Sequence, residues 1–175
     1  MTNEDLSYPI GPFERPAQVT DRNREDWIAE VAAAPSYLRK SVEGLSTEQL
    51  DTAYRPGGWT LRQVVHHVPD SHMNAYVRFK LALTEESPVI KGYDEALWAK
   101  LPDSRETPEI SLALLEALHV RWVNLLRALS SDDFRRPYRH SEMGDVPLST
   151  ALALYAWHGK HHTAHITSLR QRMGW

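Results

Sequence analysis

Residues 60–83, TLRQVVHHVPDSHMNAYVRFKLAL, carry the pattern that decides the fold. Thr60 followed by Gln63 is a capping box: the hydroxyl can take the third backbone N–H, and the amide can reach back to the cap N–H. Leu61, Val64, Val65, Val68, His72, Tyr76, Phe79 and Leu83 then recur at three- and four-residue intervals. That spacing predicts a long helix over 61–83 with one apolar face. Pro69 lies inside it and lacks the N–H that would bond the Val65 carbonyl, so a local kink or bulge is expected there.

Comparable patterns lie on both sides. Trp27, Ile28, Val31 and Ala32, then Tyr37, Leu38, Val42 and Leu45, predict a first helix from about Asn23 to Gly44, broken at Pro35. Ser46 to Gln49 is a second capping box that can start one short turn, and Pro56, Gly57 and Gly58 force a loop. Residues 85–108 form a long connection with a short helix over 94–101, long enough to let neighbouring helices run parallel. Leu112, Leu115, Leu118, Trp122, Leu125, Leu126 and Leu129 predict a third long helix. Tyr138 and Val146 flank a Met143, Gly144, Asp145 turn, which predicts a small hairpin, and a fourth helix follows over about 149–170. Pro9, Gly11, Pro12 and Pro16 leave residues 1–21 as an irregular segment across the outside of the bundle. The reading is all-α, with no internal repeat.

At 175 residues the chain suits a single domain, 1–175, that buries about 70% of its unfolded surface. It has no Cys, so a disulfide, a thiolate ligand and a protein-borne thiol nucleophile are all excluded. The net charge of -3, with no long run of one sign, gives nucleic-acid binding no support. The N-terminus lacks the basic and apolar regions of a leader, and no window approaches eighteen consecutive apolar residues. A soluble cytoplasmic protein acting on a small molecule, away from nucleic acid and membrane, is expected.

The chemical signal lies in nine histidines. On the fourth helix, Leu148, Ala151, Tyr155, Ile166, Leu169 and Met173 share one sector of the wheel. His162 falls inside that sector and His158 at its edge, while His161 and His165 point some 60° further round and are expected at the rim or surface. Side chains four apart on one helix face can share a cation, and buried imidazoles without partners are costly. On the second helix His66 lies nearly opposite the apolar stripe, His67 borders it and His72 lies within it as a core residue. His67, His158 and His162 are therefore the candidate ligands of one divalent cation. Gln63, Asp70, Ser71 and Asn74 run beside His67 as a polar seam that would line a pocket, with Asp70 orienting an imidazole or a bound water. Three imidazoles leave a coordination position open, the pattern of a catalytic site. The catalytic acid or base is unassigned. No E-x-x-H pairs, G-x-S-x-G or P-loop glycines compete with this reading.

LSYPIG near the start, YRPGGWTLRQVVHHVPDSHMNAYVRFKLALTEE in the middle, and YAWHGKHHTAHI with RMGW at the end resemble the DinB/YfiT-like superfamily, most closely its YfiT group of metal-dependent hydrolases. The resemblance spans essentially the full chain. It implies a DinB-like four-helix bundle in up-down-down-up order, a homodimer, and one Zn2+ or Ni2+ ion per subunit on three His from two helices, which fall on His67, His158 and His162. Pro69 and Lys160 depart from the group's pattern at non-ligand positions. Wider relatives resemble enzymes that use low-molecular-weight thiols such as bacillithiol. The expected function is thus metal-dependent hydrolysis, with a bacillithiol-type S-transferase as the alternative and a non-catalytic, stress-associated metal-binding bundle as the third reading.

Overall fold

The computed structural model describes residues 6–175. In chain order the elements are α1 (Asp21–Val42), the short α2 (Thr47–Leu50), α3 (Leu61–Thr84), β1 (Val89–Ile90), the short α4 (Glu95–Trp98), α5 (Pro108–Ala128), β2 (Pro137–His140), β3 (Gly144–Pro147) and α6 (Leu148–Met173). The long helices α1, α3, α5 and α6 form a four-helix bundle. Both capping boxes read from sequence form, Thr60 with Gln63 on α3 and Ser46 with Gln49 on α2, and Thr20 with Asn23 makes a third on α1.

Contacts between helices fix their directions. Gly159 of α6 sits against Ala34 of α1, and Arg170 donates to the Ser41 carbonyl at 2.8 Å, so α1 and α6 run parallel. His66 meets Ser111 and His72 meets His119, so α3 and α5 also run parallel. Arg39 of α1 pairs with Glu109 and Glu116, earlier on α5 than the His119 that meets Val31, which sets the two pairs antiparallel. The order is up-down-down-up, and the long 85–107 connection is what permits α3 and α5 to run the same way.

Two apolar clusters fill the bundle. One gathers Val31, Phe79, Trp122, Leu126, Leu152 and Tyr155, and the other Leu38, Leu61, Val65, Leu115, Ile166 and Leu169. On α3, α5 and α6 four buried histidines fall between these two sets: His72, His119, His158 and His162 form a polar layer inside an otherwise apolar core.

Gly159 allows α6 to approach α1 at this level, since a Cβ there would stand 3.0 Å from the Ala34 Cβ and 3.7 Å from the His72 Cε1. Gly159→Leu is expected to destabilise the fold by about 1–3 kcal/mol through overpacking. A urea midpoint equal to that of the parent would show that the approach is not tight.

The structure departs from the sequence reading in the course of α1, in the sheet and at the end of α6. α1 continues through Pro35 unbroken, because the Val31 carbonyl that loses its helical donor accepts instead from His119 Nδ1 at 2.6 Å. α3 spans Pro69 as the sequence reading has it, its helix running from Leu61 to Thr84. The predicted hairpin forms, with Tyr138 opposite Val146, but β1 adds a third, parallel strand that is too short to leave a periodic signal. Met173 lies half-exposed in the last turn of α6. The irregular N-terminal segment crosses α6: Trp157 Nε1 donates to the Gly11 carbonyl at 3.2 Å, and Arg15 reaches the Asp145 carbonyl. Residues 1–5 lie outside the described residues. Among the described residues no helix is long and apolar enough to cross a membrane.

Candidate metal centre

α3 and α6 pack antiparallel, which brings His67 against His158 and His162. One ring nitrogen of each lies within 4.8 Å of the others, and His67 Nε2 faces His158 Nε2 at 3.3 Å. Nitrogens around a tetrahedral ion, each about 2.0–2.1 Å from it, stand about 3.3 Å apart, so this spacing fits one small cation. The chemistry of the donors fits as well. Burial, and after it the neighbouring imidazoles, hold His67 down to about 4 and His158 and His162 well below their ordinary values, so all three present neutral rings at pH 7.

Hydrogen bonding decides which nitrogen each ring offers. A backbone carbonyl only accepts, so His119 Nδ1 carries the proton that it donates to Val31. Its Nε2 must then accept from His72 Nδ1 at 2.7 Å, and His72 Nε2 in turn accepts from His158 Nδ1 at 3.1 Å. His158 Nε2 is left as a lone pair facing His67 and Ser71. The same logic runs along α6. His165 Nε2 donates to the Ser7 carbonyl at 3.0 Å, so its Nδ1 accepts from His162 Nδ1 at 3.3 Å and leaves His162 Nε2 as the lone pair. Two ligand candidates thus have their tautomers set by chains that end on backbone oxygens. Pro35, by freeing the Val31 carbonyl, belongs to the first of them.

Aromatic rings fix the planes of these imidazoles. Trp59 lies 4.7 Å from His67 and stacks on His162, Tyr54 stacks on His165 at 4.0 Å, and Trp157 stacks on His161 at 4.3 Å. Tyr54 and Trp59 flank the Pro56–Gly57–Gly58 loop, closed by the Tyr54 N–H to the Trp59 carbonyl. Gly57 there has φ +69, a conformation that favours glycine. The histidines open into a cavity of about 550 Å³, whose walls include Ser71, Arg78, Tyr93, His140 and Tyr155.

The expectation that His161 and His165 lie at the rim is corrected: they are 6% and 3% exposed. The wheel placed them away from the bundle axis, but the N-terminal segment and the Tyr54 loop cover that side of α6. Their nitrogens also cluster with His162, yet both nitrogens of His165 are already engaged by Ser7 and His162. His66, opposite the stripe on the wheel, is buried too, held by Ser111 and the Glu106 carbonyl beneath the 95–107 connection. Of the polar seam, only Ser71 reaches the cavity. Gln63 donates to the Ala99 carbonyl and Asn74 to the Asp70 carbonyl, while burial, and after it the nearby Asp103 charge, pushes the Asp70 carboxyl up to about 6. His119 was absent from the sequence reading, although a histidine between Leu115 and Trp122 in an apolar stripe is its signal. Arg78, Tyr93 and His140 left none, because their convergence depends on how the hairpin and the long connection fold back.

Removing these rings from water has a consequence in acid. His67 and His119 both hold near 4 in the folded chain, against 6.5 when unfolded. Between those values the unfolded state binds the protons that the folded state refuses, so stability falls as pH drops from about 6.5 towards 4 and is unaffected by these groups above that window. Each contributes up to about 3 kcal/mol of loss at the acid end. Denaturation of the metal-free protein followed from pH 8 to pH 4 checks this, and a flat profile would contradict it.

The sequence profile of the DinB superfamily matches residues 30–166. A protein of Bacillus cereus (strain 03BB102), provisionally named a metal-dependent hydrolase, is 55% identical over 98% of this chain and 99% of its own length. One from Bacillus anthracis (strain A0248) with the same provisional name is 54% identical over the same shares. Among solved structures, YfiT from Bacillus subtilis, described as a probable metal-dependent hydrolase with an unusual four-helix bundle topology, is 50% identical and superposes with a TM-score of 0.95 over 98% of this chain and 99% of its own. The four-helix bundle protein TT2238 is similar in fold alone, with 16% identity and a TM-score of 0.57 over 87% of this chain and 99% of its own.

Proposed function

The chain belongs to the DinB superfamily, and from that premise we propose that it is a metal-dependent enzyme of hydrolytic type, with one divalent cation, Zn2+ or Ni2+, on His67, His158 and His162. The observation that carries this reading is the convergence of three neutral imidazoles, two with their lone pairs set by hydrogen bonds, on the floor of an open cavity. When bound, such a cation supplies Lewis acidity, activating water or polarising a scissile carbonyl. Imidazole accepts either metal, so ligand type does not choose between them. The chain's own groups do the positioning. His72 and His165 hold the ligand rings, Trp59 and Tyr54 wall them, and the Ser71 hydroxyl, 3.4 Å from His158 Nε2, stands ready to hydrogen-bond a substrate oxygen.

The second reading is a bacillithiol-type S-transferase, supported by the absence of any Cys: a thiol in the reaction would have to arrive as substrate. Metal-loaded protein assayed against ester, amide and electrophile panels, with and without bacillithiol, separates the two. Hydrolysis that needs bound metal and no thiol supports the first, and turnover only with thiol replaces it with the second. No metal-dependent turnover in either arm would favour the non-catalytic bundle. Within this proposal the protein is cytoplasmic, dimeric and acts on a small molecule.

A further inference from the structure

Arg78 lines the same cavity and is only 9% exposed. Other arginines held against the bundle meet oxygens that carry or share negative charge. Arg62 reaches the Asp51 carboxylate and the Glu106 carbonyl, and Arg136 the carbonyls of Ala82 and Glu85. Arg78 has no ion pair among the described residues; its neutral partners are the Tyr155 hydroxyl, at 3.5 Å the outer limit of a hydrogen bond, and the Tyr138 hydroxyl beside it. The phenols around it supply no charge: burial pushes Tyr138 and Tyr93 up to about 12 and raises Tyr155 as well. A buried guanidinium with five donors and no carboxylate in ion-pair contact is costly to keep, and here its open side is a cavity whose other charged walls, Glu95 and Glu142, do not pair with it.

Its position ties it to the metal centre. His67, Ser71 and Arg78 lie within about 40° of one another on the surface of α3, and Ser71 and Arg78 are about 10 Å apart along the axis. Helical side chains lean towards the N-terminus, so the long Arg78 side chain reaches back towards Ser71 and the histidines. Two hydroxyls bridge the gap, Ser71 beside His158 Nε2 and Tyr155 beside the guanidinium.

We propose that Arg78 is an anion subsite of this cavity, and that the natural substrate is a small molecule carrying a carboxylate or phosphate that docks on Arg78 while its reactive group lies at the three histidines. The placement of the reactive group at the histidines rests on the metal-centre reading; the anion subsite on Arg78 does not. A guanidinium recognises either anion through paired N–H donors, which Lys cannot reproduce.

Acetate and inorganic phosphate titrated into the metal-free and the zinc-loaded protein, with binding followed by calorimetry, test the subsite. Arg78→Met is expected to weaken the preferred anion on the order of tenfold or more in both forms, with zinc content unchanged. Arg78→Lys is expected to fall between Arg78→Met and the parent. The arm that binds more tightly tells carboxylate from phosphate. Equal affinities in the parent and Arg78→Met, or no binding of either anion to the metal-free parent, would overturn the proposal. If Arg78→Met does not fold, Arg78→Gln is read by the same criteria. A parent that binds anions but no zinc would refute the metal reading and leave the subsite standing.

Discussion

His162→Ala is expected to leave the purified protein without stoichiometric divalent metal, and His158→Ala likewise. Each variant removes one of three convergent nitrogens and leaves only two imidazoles on the cavity floor. The affinity loss should therefore exceed the about 10- to 100-fold typical of removing a partner that merely orients a ligand. His66→Gln is the matched control. It alters a buried histidine adjacent in sequence to His67, but one whose ring is engaged by Ser111 and the Glu106 carbonyl on the far side of α3. It is expected to retain metal. Metal content measured after dialysis checks the set, and equal loss across all three variants would mean that binding follows fold integrity and not these ligands.

His119→Phe is expected to lower zinc affinity by about 10- to 100-fold although His119 is no ligand. The phenyl ring fills the site but cannot accept from His72 Nδ1. His72 then does best by moving its proton to Nε2, where it faces His158 Nδ1, and the His158 proton is displaced onto the very nitrogen that a cation needs. His119→Gln keeps one acceptor and one donor and should restore most of the affinity. Nitrogen NMR of the metal-free protein gives a readout that a packing defect would not move. His158 should be protonated on Nδ1 in the parent and in His119→Gln, and on Nε2 in His119→Phe. Parent-like zinc affinity in His119→Phe, with His158 still protonated on Nδ1, would contradict the chain of hydrogen bonds. His165→Phe makes the parallel case for His162.

How much of this was legible in the sequence differs from element to element. α3 could be read almost to the residue, because the Thr60–Gln63 capping box marks its start and an unbroken stripe marks its length. Proline misled at position 35, where the expected break gave way to an intact helix: the freed Val31 carbonyl found a donor on α5, a tertiary event that no local pattern records. The His158 and His162 pair was legible because a four-residue step on one helix is a local fact, and His67 because it borders the apolar stripe of α3. The burial of His161 and His165 was not, since it depends on residues 7–11 and 54–59 folding over α6 from far along the chain. The polar seam failed for a related reason. Spacing placed Gln63, Asp70 and Asn74 beside His67, but the 95–107 connection covers that flank, and the cavity opens on the side where Ser71 and Arg78 point. Periodicity gives the face a residue occupies, and only the rest of the fold decides what that face meets.

Anomalous diffraction at the zinc edge from crystals of the zinc-loaded protein would locate the cation proposed between α3 and α6. One peak per chain is expected, about 2.0–2.1 Å from a ring nitrogen of each of His67, His158 and His162. A peak held instead by His161 and His165, or none beside His67, would contradict it.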